Sequence, residues 1–265
     1  MLRRRIASNG VVFYVSPLLE SIGVSQAFST RIGGVSGGVF ASLNLGNRSG
    51  TVLDSSDQIA ENYRRLCAAA GCEGKVLRKV SQVHGADVVW MKAESQCAEA
   101  PSADAIGSDD PRCLACVRVA DCAPVLLASG DGRLVAAVHA GWRGVVAGVV
   151  PAAVAAIQSR MQRKCEIFAA IGPSIGAANF EVGIEVVEEF RRVLGAEAPA
   201  QCKCGGKAYV DLREAIWRQL RSCRVDSDHI DTTDRCTFRD RDEFFSHRRD
   251  GGVTGRMAAI IACSA

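Results

Sequence analysis

The chain has 265 residues, of which 48% are hydrophobic and 23% charged, the composition of an ordinary globular protein that can bury a large core. Its net charge of +3 is too small to indicate a nucleic-acid partner, and no segment approaches the roughly 20 apolar residues of a membrane helix. No apolar run of signal length follows the basic N-terminus, and most of the 12 cysteines stand singly in apolar surroundings. We therefore expect a cytoplasmic protein with reduced thiols.

Strand and helix patterns alternate along the chain without repeats. The first predicted strand is "VVFYV" (11–15). A helix is predicted from Ser55 to about Ala70, because Ser55 and Gln58 have capping-box spacing and Gly71 stands at the exit. Mostly buried strands are then predicted at 87–91, 113–120, 123–129, 134–140 and 166–172.

The C-terminal half continues the alternation. Residues 144–161 have a helical pattern in which Pro151 must break the helix, kink it or begin a second segment. Helices are also predicted at 184–194, closed by Gly195, and from Asp211 to about residue 220, with Glu214 completing the cap. A last buried strand covers 257–263. No linker divides the chain, so the pattern predicts one α+β domain over residues 1–265.

The most informative geometry lies where two predicted strands, "APVLLAS" and "RLVAAVHA", are joined through "GDG". A tight turn centred on Gly130 and Asp131 pairs Cys122 directly with His139. Moving the centre by one residue keeps both side chains on one face, whereas a three-residue loop places them on opposite faces. We expect the two side chains to converge.

A third candidate is His84 in "SQVHGADVV", followed by a glycine just ahead of a strand. Two neutral imidazoles and a thiolate are a suitable ligand set for zinc, with the fourth position left to water or substrate. The same residues also fit a metal-free pair in which Cys122 is the nucleophile and His139 its base, with Asp121 or another acid orienting the imidazole. Both interpretations stay open. A multicopper oxidase is not expected, because the chain has only 4 histidines.

Two other cysteine pairs have metal-ligand spacing, but neither is expected to bind metal. "CLAC" (113–116) is apolar and strand-like, and alternation would place Cys113 and Cys116 on opposite faces. "CKC" (202–204) lies in a polar loop with no obvious partner pair.

Arginines beside glycines indicate an anion site. Arg31 lies in "STRIGGVSGG", Arg143 in "GWRG", and Arg248 and Arg249 in "SHRRDGG". Glycine-rich backbone can present N–H groups to a phosphate, and an arginine can bind it through two donors. "GPSIG" (172–176) adds a tight turn after a buried strand, a common place for active-site loops.

Taken together and in order, these segments resemble the signatures of the YfiH/LACC1 family, whose members have been called polyphenol oxidase, purine nucleoside phosphorylase and peptidoglycan editing factor. The resemblance runs from about Phe28 to Ala262. It rests on the segments "FSTRIGG", "ASLNLG", "QVHGADV", "ADCAPVLL", "VHAGWRG", "GPSIG", "DRCTF" and "FFSHRRDGGVTGRMAA".

The resemblance implies a single-domain α/β sandwich with mixed, largely antiparallel sheets, distantly similar to cysteine hydrolase-like toxins. It implies that His84, Cys122 and His139 bind Zn²⁺ and are the catalytic residues. The implied reaction is phosphorolysis of adenosine, inosine, guanosine and 5′-methylthioadenosine, with some deamination of adenosine. The partners would then be a small nucleoside and phosphate, with no nucleic acid and no membrane.

The expected substrate-binding residues are Arg31, Asn44, Arg143 and Arg248. Asn44 could hydrogen-bond sugar or base, or simply form a turn, and Trp142 could stack on a base or pack in the core. Two alternatives belong to other classes: a Cys–His hydrolase that edits peptidoglycan precursors, and a non-catalytic metal-binding protein.

The sequence departs from the family pattern near the expected site. Asn47 and Arg48 stand where relatives often have Asp-His, Val119 stands where Thr is common, and His247 replaces a common tyrosine. "GAANFEVG" lacks the paired cysteines that some members have. The three expected metal ligands are unaffected, so these departures bear on substrate preference.

Overall fold

A computed structural model describes residues 1–47, 51–95, 99–163, 165–202 and 206–264. Within these ranges the helices are α1 (Pro17–Ser21), α2 (Ser56–Ala69), α3 (Trp142–Ala147), α4 (Val149–Gln158), α5 (Ile184–Leu194) and α6 (Leu212–Ser222). The strands are β1 (Arg3–Ile6), β2 (Val12–Val15), β3 (Ser25–Ser29), β4 (Val76–Lys79), β5 (Val88–Trp90), β6 (Ala105–Ser108), β7 (Cys113–Val119), β8 (Ala123–Ser129), β9 (Val135–Ala140), β10 (Ile167–Ile171), β11 (Glu181–Val182), β12 (Ala200–Cys202), β13 (Ala208–Val210), β14 (Ile230–Asp231) and β15 (Met257–Ala262).

The longer strands form two six-stranded sheets. The first sheet has the order β1-β2-β3-β15-β7-β4, and the second has the order β14-β10-β8-β9-β6-β5. Strands β11, β13 and β12 form a small third sheet. The pairs β4–β7, β5–β6 and β10–β14 are parallel, and the other described pairs are antiparallel. The expectation of mixed, largely antiparallel sheets is confirmed.

The two large sheets pack face to face, and helices cover their outer faces. Val117 and Ala259 of the first sheet share a buried cluster with Leu126 and Ala137 of the second. Side chains alternate along each strand, so the buried central strands of both sheets also supply outward apolar rows. Helix α2 covers the outer row of the first sheet, α3, α4 and α6 cover that of the second, and α5 packs on the small third sheet and on α3. The α/β sandwich expected from the sequence is confirmed.

The predicted strands form close to their predicted bounds, but the helix caps differ in detail. Ser55 caps α2 by accepting from the Asp57 N–H at 3.2 Å, while the Gln58 side chain donates to the Val35 carbonyl instead of closing a capping box. At α6, Asp211 accepts from the Glu214 N–H at 3.0 Å, but the Glu214 carboxylate accepts from the Arg218 guanidinium. The box at Asp211 is therefore half formed, whereas Ser55 caps the second N–H of α2 and the predicted box with Gln58 does not form.

The helical stretch at 144–161 is divided at Gly148, which has a φ of +84° and separates α3 from α4. Pro151 lies in the first turn of α4, where its missing N–H leaves no helical hydrogen bond unmade. The break is therefore due to a left-handed glycine, with proline just inside the new helix. None of the helices in the described residues combines the length and the apolar character needed to cross a membrane.

Candidate metal centre

Cys122 and His139 are brought together by the hairpin of β8 and β9. The register pairs Pro124 with His139 and Ala123 with Ala140, so the hairpin is centred on Asp131 and Gly132. The predicted direct pairing of Cys122 with His139 is therefore wrong, because the register is shifted by two residues. The two side chains are diagonal neighbours on one face instead, which keeps them within reach of each other.

His84 reaches the same point from the connection between β4 and β5. Its backbone is in the left-handed region, with a φ of +62°, which is strained for a residue with a Cβ. Its Nε2 lies 4.0 Å from the Cys122 Sγ, and its ring meets the His139 ring edge-on at 4.9 Å between centroids. One ligand atom from each of the three residues lies within 4.8 Å of the others.

A buried aspartate that the sequence did not single out holds both histidines. Asp104 accepts a hydrogen bond from the His139 Nδ1 at 2.7 Å. It also accepts backbone N–H bonds from Val83, His84 and Gly85 at 3.1, 3.0 and 2.7 Å. The first contact leaves Nε2 as the His139 atom available to the cluster, and the other three fix the strained His84 backbone.

The cluster is electrostatically coupled. Burial alone would raise the pKa of Asp104, but the hydrogen bonds from His139, Gly85 and Val83 hold it below its ordinary value. Burial would likewise raise the pKa of the Cys122 thiol, but the two imidazoles lower it to about 6. Burial would lower the pKa of His139, but the Cys122 thiolate and the Asp104 carboxylate outweigh burial and raise this pKa above its ordinary value. The sulfur is therefore a thiolate near neutral pH, the form that binds metals.

The three donors fit a tetrahedral metal ion. Zn–N bonds near 2.0 Å and Zn–S bonds near 2.3 Å place neighbouring ligand atoms about 3.5 Å apart. The 4.0 Å between the Cys122 Sγ and the His84 Nε2 needs only a small contraction. The carboxylate bound to the second nitrogen of His139 is the usual support of a metal-bound histidine. His84 is exposed and His139 is buried, so the cluster is open on one side.

Gly141 makes room for the cluster. A Cβ at this position would lie 2.9 Å from the Cys122 Sγ and 3.0 Å from the His84 Cδ2. We expect Gly141→Ala to displace at least one ligand and to reduce the bound metal, measured by elemental analysis, at least tenfold. Gly37→Ala is the control, because nothing lies within 4 Å of a Cβ there. Full metal loading of Gly141→Ala would contradict this geometry.

Two cavities open beside the cluster. The first, here called the basic chamber, has a volume of about 590 Å³ and is lined by Gln82, Arg118, Arg143 and Arg256 as well as by the three cluster residues. The second, the apolar neck, has a volume of about 130 Å³ and is lined by Trp142, Ile175, Phe180 and Leu212. Both are also lined by His84, Cys122, Arg143 and His247.

The structure brings two of the four expected substrate-binding residues to these cavities. Arg143 lines both, with its guanidinium 4.3 Å above the Trp142 ring. Arg248 lines the neck, donates to the Glu181 carbonyl at 2.6 Å and lies over the Phe180 ring.

The other two expected residues do not line either cavity. Arg31 donates to the Ala41 carbonyl at 2.8 Å and packs on the Phe245 ring. Asn44 is fully buried, donates to Asp54 at 2.8 Å and accepts from the N–H groups of Gly46 and Arg256 at 3.2 and 2.8 Å. It therefore supports the wall of the basic chamber from behind.

Two arginines that line the basic chamber were not among the site residues expected from the sequence. Arg118 is the one charged residue of the strand "CLACVRV", a signal that something other than core packing selects it. Arg256 directly precedes β15 in "TGRMAA". Asn47 also lines the chamber and exchanges hydrogen bonds of 2.9 Å with the backbone of Asp54, whereas Arg48 lies outside the described residues.

Asp121 does not orient the imidazole; Asp104 does. The Asp121 carboxylate accepts from the Thr237 hydroxyl at 2.6 Å and from the Arg248 N–H at 2.7 Å. Its φ is +90°, and its carbonyl accepts from the Ile175 N–H at 2.9 Å. It ties three segments together behind Cys122.

The other cysteine candidates and His229 lie outside the cluster. Cys116 packs under α2, 3.8 Å from the Tyr63 hydroxyl, and alternation turns Cys113 to the other face, as expected. Cys204 of "CKC" lies outside the described residues. His229 stacks on Phe168 at 4.2 Å.

Comparison with known proteins finds one family and close relatives. Residues 25–264 match the family model described as multi-copper polyphenol oxidoreductase laccase. A purine nucleoside phosphorylase named YfiH from Shigella flexneri is 41% identical over 239 residues, which cover 90% of this chain and 93% of that protein. The YfiH purine nucleoside phosphorylase of Escherichia coli (strain K12) is 40% identical with the same coverage. The crystal structure of YlmD from Geobacillus stearothermophilus is similar with a TM-score of 0.89, at 32% identity and 99% coverage of each chain.

Proposed function

The chain belongs to the family described as multi-copper polyphenol oxidoreductase laccase, and from this membership and the cluster geometry we propose that it is a zinc-dependent purine nucleoside phosphorylase. The proposed substrates are adenosine, inosine, guanosine and 5′-methylthioadenosine. The observation that carries the proposal is the His84–Cys122–His139 cluster, open between a cavity rich in arginine and an apolar one.

The donor set favours zinc over a multicopper centre. Two imidazoles and one thiolate are typical zinc ligands, whereas a multicopper centre needs more imidazoles than the 4 histidines of this chain supply. Among the described residues, His84, Cys122 and His139 are the group of candidate ligands that converges. When bound by these three residues, zinc would supply a Lewis acid to the reaction.

The residues of the chain supply binding and orientation. Phosphorolysis breaks the bond between the anomeric carbon and the purine nitrogen, and that carbon forms a new bond to a phosphate oxygen. The electron pair of the broken bond and the proton of hydrogen phosphate end on the base. Asp104 keeps the two histidines in place, and the guanidinium groups of the chamber attract the anionic nucleophile.

The test is a phosphate-dependence assay on protein purified without added metal. We expect about one zinc per chain, release of adenine from adenosine and hypoxanthine from inosine only when phosphate is present, and loss of both activities on chelation, restored by zinc. Chromatography of the products also shows whether adenosine yields inosine, the proposed deaminase side activity. Base release that does not depend on phosphate, or none from any of the four nucleosides, would reject the phosphorylase.

A second candidate is a Cys–His hydrolase acting on peptidoglycan precursors. One observation favours it. The Cys122 thiol, which has a lowered pKa, is next to the His139 imidazole, and this imidazole donates to the buried Asp104 carboxylate. In that case chelation leaves the activity intact, phosphate has no effect, and the substrate is a cell-wall peptide. Stoichiometric metal without turnover of either substrate class would indicate a metal-binding protein that is not an enzyme.

A further inference from the structure

The two cavities beside the cluster differ in the character of their lining residues. Displacement at an anomeric carbon with the nucleophile entering opposite the leaving group needs two subsites, one on each side of that carbon. The basic chamber and the apolar neck meet at His84, Cys122 and His247. A sugar held at this junction would be next to both cavities.

The basic chamber is built for an anion. Three guanidinium groups line it, from Arg118, Arg143 and Arg256, and none of its lining residues in the described part of the chain is acidic. Arg118 is half-buried, and a partly buried guanidinium without a carboxylate partner in the described residues is unfavourable unless an anion joins it. The oxygens of a phosphate can accept two parallel hydrogen bonds from the guanidinium group of an arginine.

The backbone of Arg118 is held by two hydrogen bonds, and its side chain has space beside a glycine. The Gln82 side chain brackets its backbone, donating to the Arg118 carbonyl at 2.7 Å and accepting from the Arg118 N–H at 2.9 Å. A Cβ at Gly46 would lie 2.8 Å from the Arg118 Cδ and 2.9 Å from its Nη1, so the glycine leaves room for the guanidinium. Within the described residues this guanidinium has no hydrogen-bond or ion-pair partner of its own.

The apolar neck suits the base. Its walls are the rings of Trp142 and Phe180 and the aliphatic side chains of Ile175 and Leu212. A purine is flat and offers a π-face, which aromatic and aliphatic side chains bind well. Arg143 and Arg248 also line the neck, but so does Asp121, whose carboxylate disfavours a phosphate dianion, whereas no acidic residue of the described chain lines the basic chamber.

We propose that Arg118 binds the phosphate co-substrate in the basic chamber and that the purine base leaves through the Trp142–Phe180 side. Arg143, which lines both cavities, lies between the two subsites. This assignment rests on the proposed phosphorolysis, but the anion site itself can be tested without turnover.

The experiment combines calorimetry and kinetics on the metal-loaded protein. Orthophosphate is titrated into the wild type, Arg118→Gln, Arg118→Lys and Arg133→Gln, an exposed arginine outside both cavities. We expect Arg118→Gln to weaken phosphate binding about 10- to 100-fold, the loss typical of a charge-assisted contact, Arg118→Lys to lose less, and Arg133→Gln to match the wild type. In the assay, we expect Arg118→Gln to raise KM for phosphate and to leave KM for adenosine unchanged. We expect Trp142→Leu to raise KM for adenosine and to leave KM for phosphate unchanged.

The outcomes separate this inference from the phosphorylase itself. Phosphate binding that weakens in Arg118→Gln while no nucleoside is cleaved supports the anion site and rejects the phosphorylase. Phosphorolysis by the wild type with an unchanged phosphate KM in Arg118→Gln overturns the assignment of Arg118 and leaves the phosphorylase standing. Raised KM for phosphate in Trp142→Leu overturns the proposed orientation. Thermal unfolding of each variant checks that it folds.

Discussion

Replacing Cys122 with serine is expected to remove the metal and to lower base release by about 10³-fold, since a bound metal contributes several kcal/mol to such a reaction. The hydroxyl of serine is a poor zinc ligand at neutral pH, whereas the thiol of Cys122, with its pKa near 6, is already a thiolate. The two remaining histidines are too few to hold the ion tightly.

Metal content distinguishes the two mechanisms that Cys122 allows. Elemental analysis and the phosphate-dependence assay are run on Cys122→Ser and on Cys202→Ser, whose cysteine is exposed and outside the cluster. The phosphorylase predicts joint loss of metal and activity in the first variant and neither in the second. An inactive Cys122→Ser derived from a wild type that never held metal would point to a nucleophilic cysteine.

Asp104→Asn is expected to weaken metal binding 10- to 100-fold, as loss of a carboxylate behind a metal-bound histidine typically does. One carboxylate oxygen accepts from His139 Nδ1 and the His84 N–H, and the other accepts from Val83 and Gly85. An amide presents one oxygen and one NH₂ group. Whichever way it turns, donors on one side face another donor, and a ligand is released from its position.

The measurement for Asp104→Asn is competition with a chelator, read together with thermal unfolding. Asp231→Asn is the matched control, because Asp231 is also buried and accepts from the Ser16 hydroxyl at 2.7 Å. Both variants lose stability, but only Asp104→Asn loses metal. Equal metal affinity in the two variants would mean that Asp104 has no special relation to the cluster.

The parts of the site that depend on neighbouring segments could be predicted from the sequence. The β8–β9 hairpin is local, and alternation alone requires Cys122 and His139 to share a face, even though the register differs by two residues. The relation of Asp104 to His139 is different. It follows from the pairing of β6 with β9, strands separated by β7 and β8, and single-sequence periodicity says nothing about which distant strands pair.

The substrate residues show the same limit. Arg31 is expected at an anion site because of its glycine-rich segment, and Asn44 is expected to hydrogen-bond sugar or base, but the polar groups of both bind partners within the protein. Arg118 lies on the first sheet and Cys122 leads into the second, so their common cavity depends on how the sheets pack. Packing of this kind is set by the whole core and is not written in any short segment.

Two of the three ligands lie on the connections that carry the chain from the first sheet to the second, His84 between β4 and β5 and Cys122 between β7 and β8. An insertion or deletion in either passage would move a ligand directly, whereas one in a remote hairpin would not. Differences in length among members of this family should therefore accumulate away from these two passages, and a change in spacing there should mark a member whose chemistry has diverged.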